Sequence, residues 1–118
     1  MATKHKVKLT VLKRELYEDL QKKYLADPKS GKCPFFKEGQ EWLIENNDFF
    51  RMLHGNFCGQ AWDCISRYIY AGLQGGSIMS GWTNDEKIMI TCCNDGTRPV
   101  SFKIERIDEE NNSKIALS

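Results

Sequence analysis

The sequence predicts an α+β domain: a small antiparallel sheet with a C-terminal hairpin, packed against two helices. Three observations predict it. Residues 87–93 and 99–107 are apolar-rich runs separated by Asn94-Asp95-Gly96-Thr97, a turn signal between two strands. Residues 60–73 carry apolar side chains at helical spacing and stop at Gly75-Gly76. Residues 6–12 alternate apolar and polar side chains, the period of a half-buried strand. One sheet with helices on it is the simplest way to bury all these faces in a single core.

Each element follows in order. Val7, Leu9 and Val11 alternate with Lys6, Lys8 and Thr10, which sets a strand over 6–12. In residues 13–25, Leu16, Leu20 and Tyr24 recur every fourth position, with Tyr17 beside them, so an amphipathic helix is expected there. Asp27-Pro28-Lys29-Ser30-Gly31 ends it with turn chemistry. Cys33-Pro34-Phe35-Phe36 is irregular, and Gly39 to Ile44 reads as a short extended segment. Residues 46–60 read as loop with a helical turn near Phe49–Leu53. In the second helix, from about Gln60 to Leu73, the apolar face holds Ala61, Trp62, Ile65, Tyr68, Ile69 and Gly72. In the last strand Val100, Phe102 and Ile104 share one face, and Pro99 sits at the first position, where a strand tolerates it. Lys103, Glu105 and Arg106 read as a solvated face, His5 has no visible partner, and the polar tail from Asp108 is expected to fray. The whole chain, 1–118, reads as one domain with its ordered core at about 6–107.

Charge excludes some functions. The 17 basic and 16 acidic side chains nearly cancel, so neither a nucleic acid nor an anionic membrane is an expected partner. The basic start MATKHKVKL has no apolar run after it, so no signal peptide or membrane span is expected and the cytoplasm is the default compartment. Apolar Phe49, Phe50 and Trp82 suggest a surface buried in a homo-oligomer.

The chemistry of the chain lies in its five cysteines, Cys33, Cys58, Cys64, Cys92 and Cys93. An odd count in a reducing compartment argues against a disulfide framework, and no C-x-x-C spacing is present. Cys33 precedes a proline in a loop. Cys58 lies just before a helix, where amide groups and the helix dipole favour negative charge. Cys92 and Cys93 end a strand before its turn and point to opposite faces. If Ile88 and Ile90 face the core, Cys92 is the more buried of the two; both stay in the candidate set. Cys64, beside the apolar face of its helix, reads as a packing residue. Thiolates from Cys33, Cys58 and Cys92 or Cys93 suit an iron–sulfur cluster, with zinc as the alternative and a metal-free role for packing thiols equally open. With only three protein ligands a position stays open for a small-molecule substrate, and His54 is a candidate fourth ligand. Asp63, His54 and Arg98 are the acid/base or substrate-binding candidates, although Asp63 also reads as an ordinary solvated acid and Arg98 as a surface arginine.

The blocks KVKLTVLKREL, CPFFKEGQEW, FCGQAWDCI and CCNDGTRPVSFKIER resemble a small cysteine-containing prokaryotic family common in anaerobes. The resemblance spans residues 6–107, and the last block is its most specific part. It rests on Cys33, Gly39, Cys58, Trp62, the Cys92-Cys93 pair, Asp95-Gly96, Arg98-Pro99, Val100, Phe102 and Lys103. It implies a shared fold and a role for the thiols, and brings no activity with it. Cys64 and the loop from Gly75 to Asp85 stand outside it. The leading expectation is therefore a three-cysteine metal site, an iron–sulfur cluster with an open position acting on a small molecule. A structural or interaction module with packing or zinc-clip cysteines, and thiol redox chemistry between Cys58 and Cys92 or Cys93, are the alternatives.

Overall fold

The computed structural model describes residues 4–52, 57–78 and 80–109. Its elements are β1 (Lys4–Arg14), α1 (Glu18–Tyr24), β2 (Glu41–Ile44), α2 (Asn46–Arg51), α3 (Gly59–Leu73), β3 (Ile88–Cys92) and β4 (Val100–Glu109). The strands form one antiparallel sheet in the order β2-β1-β4-β3. The α+β class and the β3–β4 hairpin are as the sequence predicts.

The alternation in the strands decides which face is covered. Val7, Leu9 and Val11 of β1 and Val100, Phe102 and Ile104 of β4 are all buried, with Ile44 of β2 and Met89 of β3 beside them. Helix α3 lies over this face through Ala61, Trp62, Ile65, Ile69 and Leu73. Gly72 lets helix and sheet meet closely, because a Cβ there would sit 2.7 Å from Val7 Cγ2. At one end of the core, Phe36, Phe57 and Phe102 pack ring to ring, with centroids of Phe36 lying 5.3 Å from Phe57 and 5.2 Å from Phe102. These rings anchor the loop that carries Cys33 and the segment that enters α3.

Several expectations need correction. The first helix does not begin at residue 13: β1 continues past a register shift between Val11 and Lys13, and Lys13 and Arg14 pair with Ser101 and Val100. A long partner strand is enough to hold Lys13 and Arg14 in the sheet, so only Glu18–Tyr24 is helical. That short helix has Glu18 and Asp19 in its first turn and Lys22 and Lys23 in its last, the arrangement its dipole favours. The loop of residues 46–60 contains a full short helix, α2, closed by a capping box between Glu45 and Asp48. Phe49 is not exposed: α2 lays it against Trp62 and Tyr70, with centroid separations of 5.1 and 5.3 Å. Phe50 and Trp82 do remain exposed.

Of the tail expected to fray from Asp108, Asp108 and Glu109 belong to β4, and residues 110–118 lie outside the described residues. Asp108 belongs to the strand and accepts hydrogen bonds from His5 Nδ1 at 2.8 Å and Arg106 Nε at 2.9 Å. His5 is therefore partnered. Arg106 shares the core-side parity of Ile104 rather than the solvated face, and its Nη1 donates to the carbonyls of Gly75 and Gly76 at 2.9 and 2.7 Å. Those carbonyls follow the C-terminus of α3, where Gly75 turns the chain at φ 84°. No helix among the described residues is long and apolar enough to cross a membrane.

Candidate functional site

The thiols collect at the opposite end of α3. Cys33 is half-buried in the loop after α1, and its carbonyl accepts a 2.8 Å bond from Arg14 Nη1 at the end of β1. Glu38 fixes that arginine, accepting from Arg14 Nε at 3.0 Å and from its backbone N–H at 3.2 Å. Glu38's own backbone N–H and the Arg14 guanidinium hold its carboxyl below the ordinary range. The extension of β1 to Arg14 is thus what pins the Cys33 loop.

Cys58 is the N-cap of α3: its carbonyl accepts from Trp62 N at 2.9 Å, while its side chain makes no capping bond. No acidic residue stands in the first turn. The positive end of the helix dipole is therefore not offset by a neighbouring carboxylate. Phe57, buried just before it, fixes where the helix starts.

Parity places the last two thiols apart. Met89, not Ile88 or Ile90, faces the core, so Cys92 is exposed and Cys93 turns inward against the core cluster. Residue 93 lies just beyond β3, but its N–H still donates to Val100 O at 3.0 Å, and Val100 N–H donates to Cys93 Sγ at 3.3 Å.

The turn between β3 and β4 is tightly built. Asp95 Oδ1 accepts from Thr97 N at 2.9 Å, Thr97 Oγ1 at 3.0 Å and Arg98 N at 3.3 Å, and Oδ2 accepts from Arg98 Nε at 3.1 Å. Burial by itself would raise this carboxyl, but the donors of Thr97 and Arg98 outweigh it and hold Asp95 below its ordinary range. Gln21, only 1% exposed, donates to Thr97 Oγ1 at 3.3 Å and exchanges two bonds with Gly31, so α1 ties this turn to the loop leading to Cys33. Asn94 Nδ2 donates to Gln60 Oε1 at 2.9 Å, which joins the turn to α3.

Between these segments lies a cavity of about 300 Å³ lined by Cys33, Phe36, Cys58, Gln60, Cys93, Asn94, Asp95 and Arg98. Three of the four candidate thiols meet there, from a loop, a helix cap and a strand end. Cys92 does not line it. Arg98 does; Asp63 is exposed on α3 away from it, and His54 lies outside the described residues. Cys64 packs against the core cluster, as the sequence suggests; burial raises its thiol above the ordinary range, and the neighbouring Cys93 and Cys92 raise it further. Among the described residues no three His, Cys, Asp or Glu side chains are grouped tightly enough to hold one metal ion.

Sequence reasoning missed Arg14, Gln21 and Gln60. Arg14 was hidden by reading residue 13 onward as helix. Gln60 carried a signal, since it stands two residues after the N-cap thiol, in the first turn of α3. Gln21 had none, because its two partners are Gly31, beyond the turn after α1, and Thr97, distant in sequence. Compared with known proteins, the chain matches no family model, no curated protein and no solved structure.

Proposed function

We propose that the cavity at the N-terminus of α3 is the working site and that Cys33, Cys58 and Cys93 are ligands of an iron–sulfur cluster there, with a small molecule bound beside it. The observation that carries this reading is that three thiols from three separate segments line one cavity. The donor set fits: thiolates are the usual cluster ligands, and an N–H donor on a ligand sulfur, as from Val100 to Cys93, is one of the contacts that tune such centres. The thiolates of a cluster bind different irons and need not converge on one atom, unlike the four ligands of a tetrahedral zinc. A cluster with three protein ligands supplies a Lewis-acidic iron with an open position. The protein's own part is to fix the thiols through Arg14, Phe57 and the Asp95 turn, and to keep Phe36 as an apolar wall.

The test is anaerobic purification and reconstitution with iron and sulfide, followed by metal and acid-labile sulfide analysis. Serine at Cys33, Cys58 or Cys93 is expected to abolish cluster binding, whereas serine at Cys92 or Cys64 leaves it intact. A reconstituted chain that takes up no iron overturns the reading.

A second reading, dithiol–disulfide exchange, has one observation in its favour. Cys58 and Cys93 are free thiols that line the same cavity. A Cys58–Cys93 disulfide recovered from metal-free protein after exchange with a disulfide reagent would favour it over the cluster.

A further inference from the structure

Arg98 is the cation of the cavity, and its bonding is unfinished. Nε is committed to Asp95 Oδ2 at 3.1 Å. Among the described residues neither Nη nitrogen has an acceptor, although the side chain is only 29% exposed. Asp95 Oδ1 is occupied by three bonds from the turn backbone and Thr97, and Oδ2 meets the guanidinium through Nε alone. Gln60 shows the same pattern. Its Oε1 accepts from Asn94, which leaves the Gln60 Nε2 donors unshared among the described residues. Both side chains line the cavity that holds the thiols. Its open polar groups are therefore mainly donors, and one of them is a guanidinium, whose paired N–H groups match the two oxygens of a carboxylate. A cavity of about 300 Å³ is at the small end of ligand pockets.

We propose that Arg98 Nη1 and Nη2, with Gln60 Nε2, form a subsite for a small carboxylate, held with its reactive carbon towards the thiols. This deepens the reading of the cavity as the working site, because it names the class of molecule that enters. It does not require the cluster, and it is testable on metal-free protein.

The experiment uses two alkylating reagents of similar size, iodoacetate and iodoacetamide, on the reduced, metal-free full chain. In both, a thiolate attacks the methylene carbon, a C–S bond forms and iodide leaves; only iodoacetate carries a carboxylate. Rates at each cysteine are read by peptide mass spectrometry. Exposed Cys92 on the same chain is the internal reference. The iodoacetate-to-iodoacetamide rate ratio at the fastest of Cys33, Cys58 and Cys93 is expected to exceed that at Cys92 by about tenfold, equivalent to about 1.4 kcal/mol. Arg98→Gln should bring the ratio down to the Cys92 value, and Arg98→Lys should restore part of it by keeping the charge. Gln60→Glu provides a variant at an exposed position that still accepts from Asn94 but replaces the donor with an anion, and it should depress the ratio below wild type. Equal ratios at the cavity thiols and Cys92 would overturn the proposal, as would a wild-type ratio in both Arg98→Gln and Gln60→Glu. A chain that shows the selectivity but binds no iron would keep the carboxylate subsite and remove the cluster. A chain that binds iron without the selectivity would do the reverse.

Discussion

The two ends of α3 are built from similar materials and finished differently. At the C-terminal end Arg106 donates to the carbonyls of Gly75 and Gly76 and to Asp108, and Asp108 also receives His5 and pairs with Lys87 at 3.4 Å. Each charged group there is used in joining β1, β4 and the helix end. At the N-terminal end the N-cap side chain makes no capping bond, Arg98 has spare donors, and three thiols face a cavity. An arginine–aspartate pair stands at both ends, yet only one is closed. The lesson is that a binding site can be found by asking where a fold stops satisfying its own polar groups, even where no ligand is present to mark it.

The largest expected effect tests whether the open end is open only in its polar groups. Phe36 is 1% exposed and packs against Trp42, Phe57 and Phe102 while also forming the cavity wall. Phe36→Ala should cost about 3–5 kcal/mol of stability, as for any fully buried aromatic. A urea titration giving less than about 1 kcal/mol would mean that this end of the core is loosely packed and that the contrast is one of packing.

The arginines give the most direct contrast. Arg106→Met should cost about 2–3 kcal/mol, because it leaves two carbonyls and a carboxylate without their charged donor. Arg98→Met should cost less than about 1 kcal/mol, since its pair with Asp95 is a partly exposed one between neighbours in a turn. Equal losses in thermal or urea unfolding would erase the distinction between a closed and an open end.

How much of this could be read in the sequence depends on the range of the interaction. The hairpin, the α3 stripe and the place of each candidate thiol in a loop or at an element end were legible, because period, turn chemistry and element ends are local. The choice between Cys92 and Cys93 was not. It depends on which face of β3 is buried, and the two isoleucines, Ile88 and Ile90, point composition to the face opposite the buried Met89. The helix expected from residue 13 failed because pairing with Ser101 and Val100 lies almost ninety residues away. The Asp108 cluster was hidden for the same reason: His5 and Asp108 look like solvated ends until β1 and β4 are laid side by side.

Acid should act on both ends through their aspartates. Burial alone would raise the Asp108 carboxyl, but hydrogen bonds from His5 and Arg106 and the charge of Arg106 hold it below its ordinary range. Its folded pKa is then lower than its unfolded one, so the unfolded chain binds the proton more readily. The stabilisation is complete above the unfolded value of about 3.9 and is lost as pH falls through the lower folded value. Asp108→Asn should flatten the acid limb of a stability–pH curve measured by urea midpoint. An acid limb unchanged in Asp108→Asn would assign that limb to Asp95 and Glu38 at the open end instead.

The smallest effect concerns the thiol that sequence reading set aside. Cys64 is raised by burial first and then by its neighbours Cys93 and Cys92. A thiolate at Cys64 is disfavoured when a second negative sulfur stands near it, so removing one neighbour must ease its ionisation. Cys93→Ser should therefore move the midpoint of the Cys64 alkylation pH profile downward, and Cys92→Ser should move it less, since Cys93 is the larger of the two influences. Both midpoints should still lie above that of an unhindered thiol, because burial remains. Neutral iodoacetamide is the reagent for this measurement, so that the charge of the probe does not enter. A Cys64 midpoint that ignores Cys93→Ser would place the fourth thiol outside the electrostatic reach of the cavity. The open end would then hold three thiols, and Cys64 would have its packing role on α3 alone.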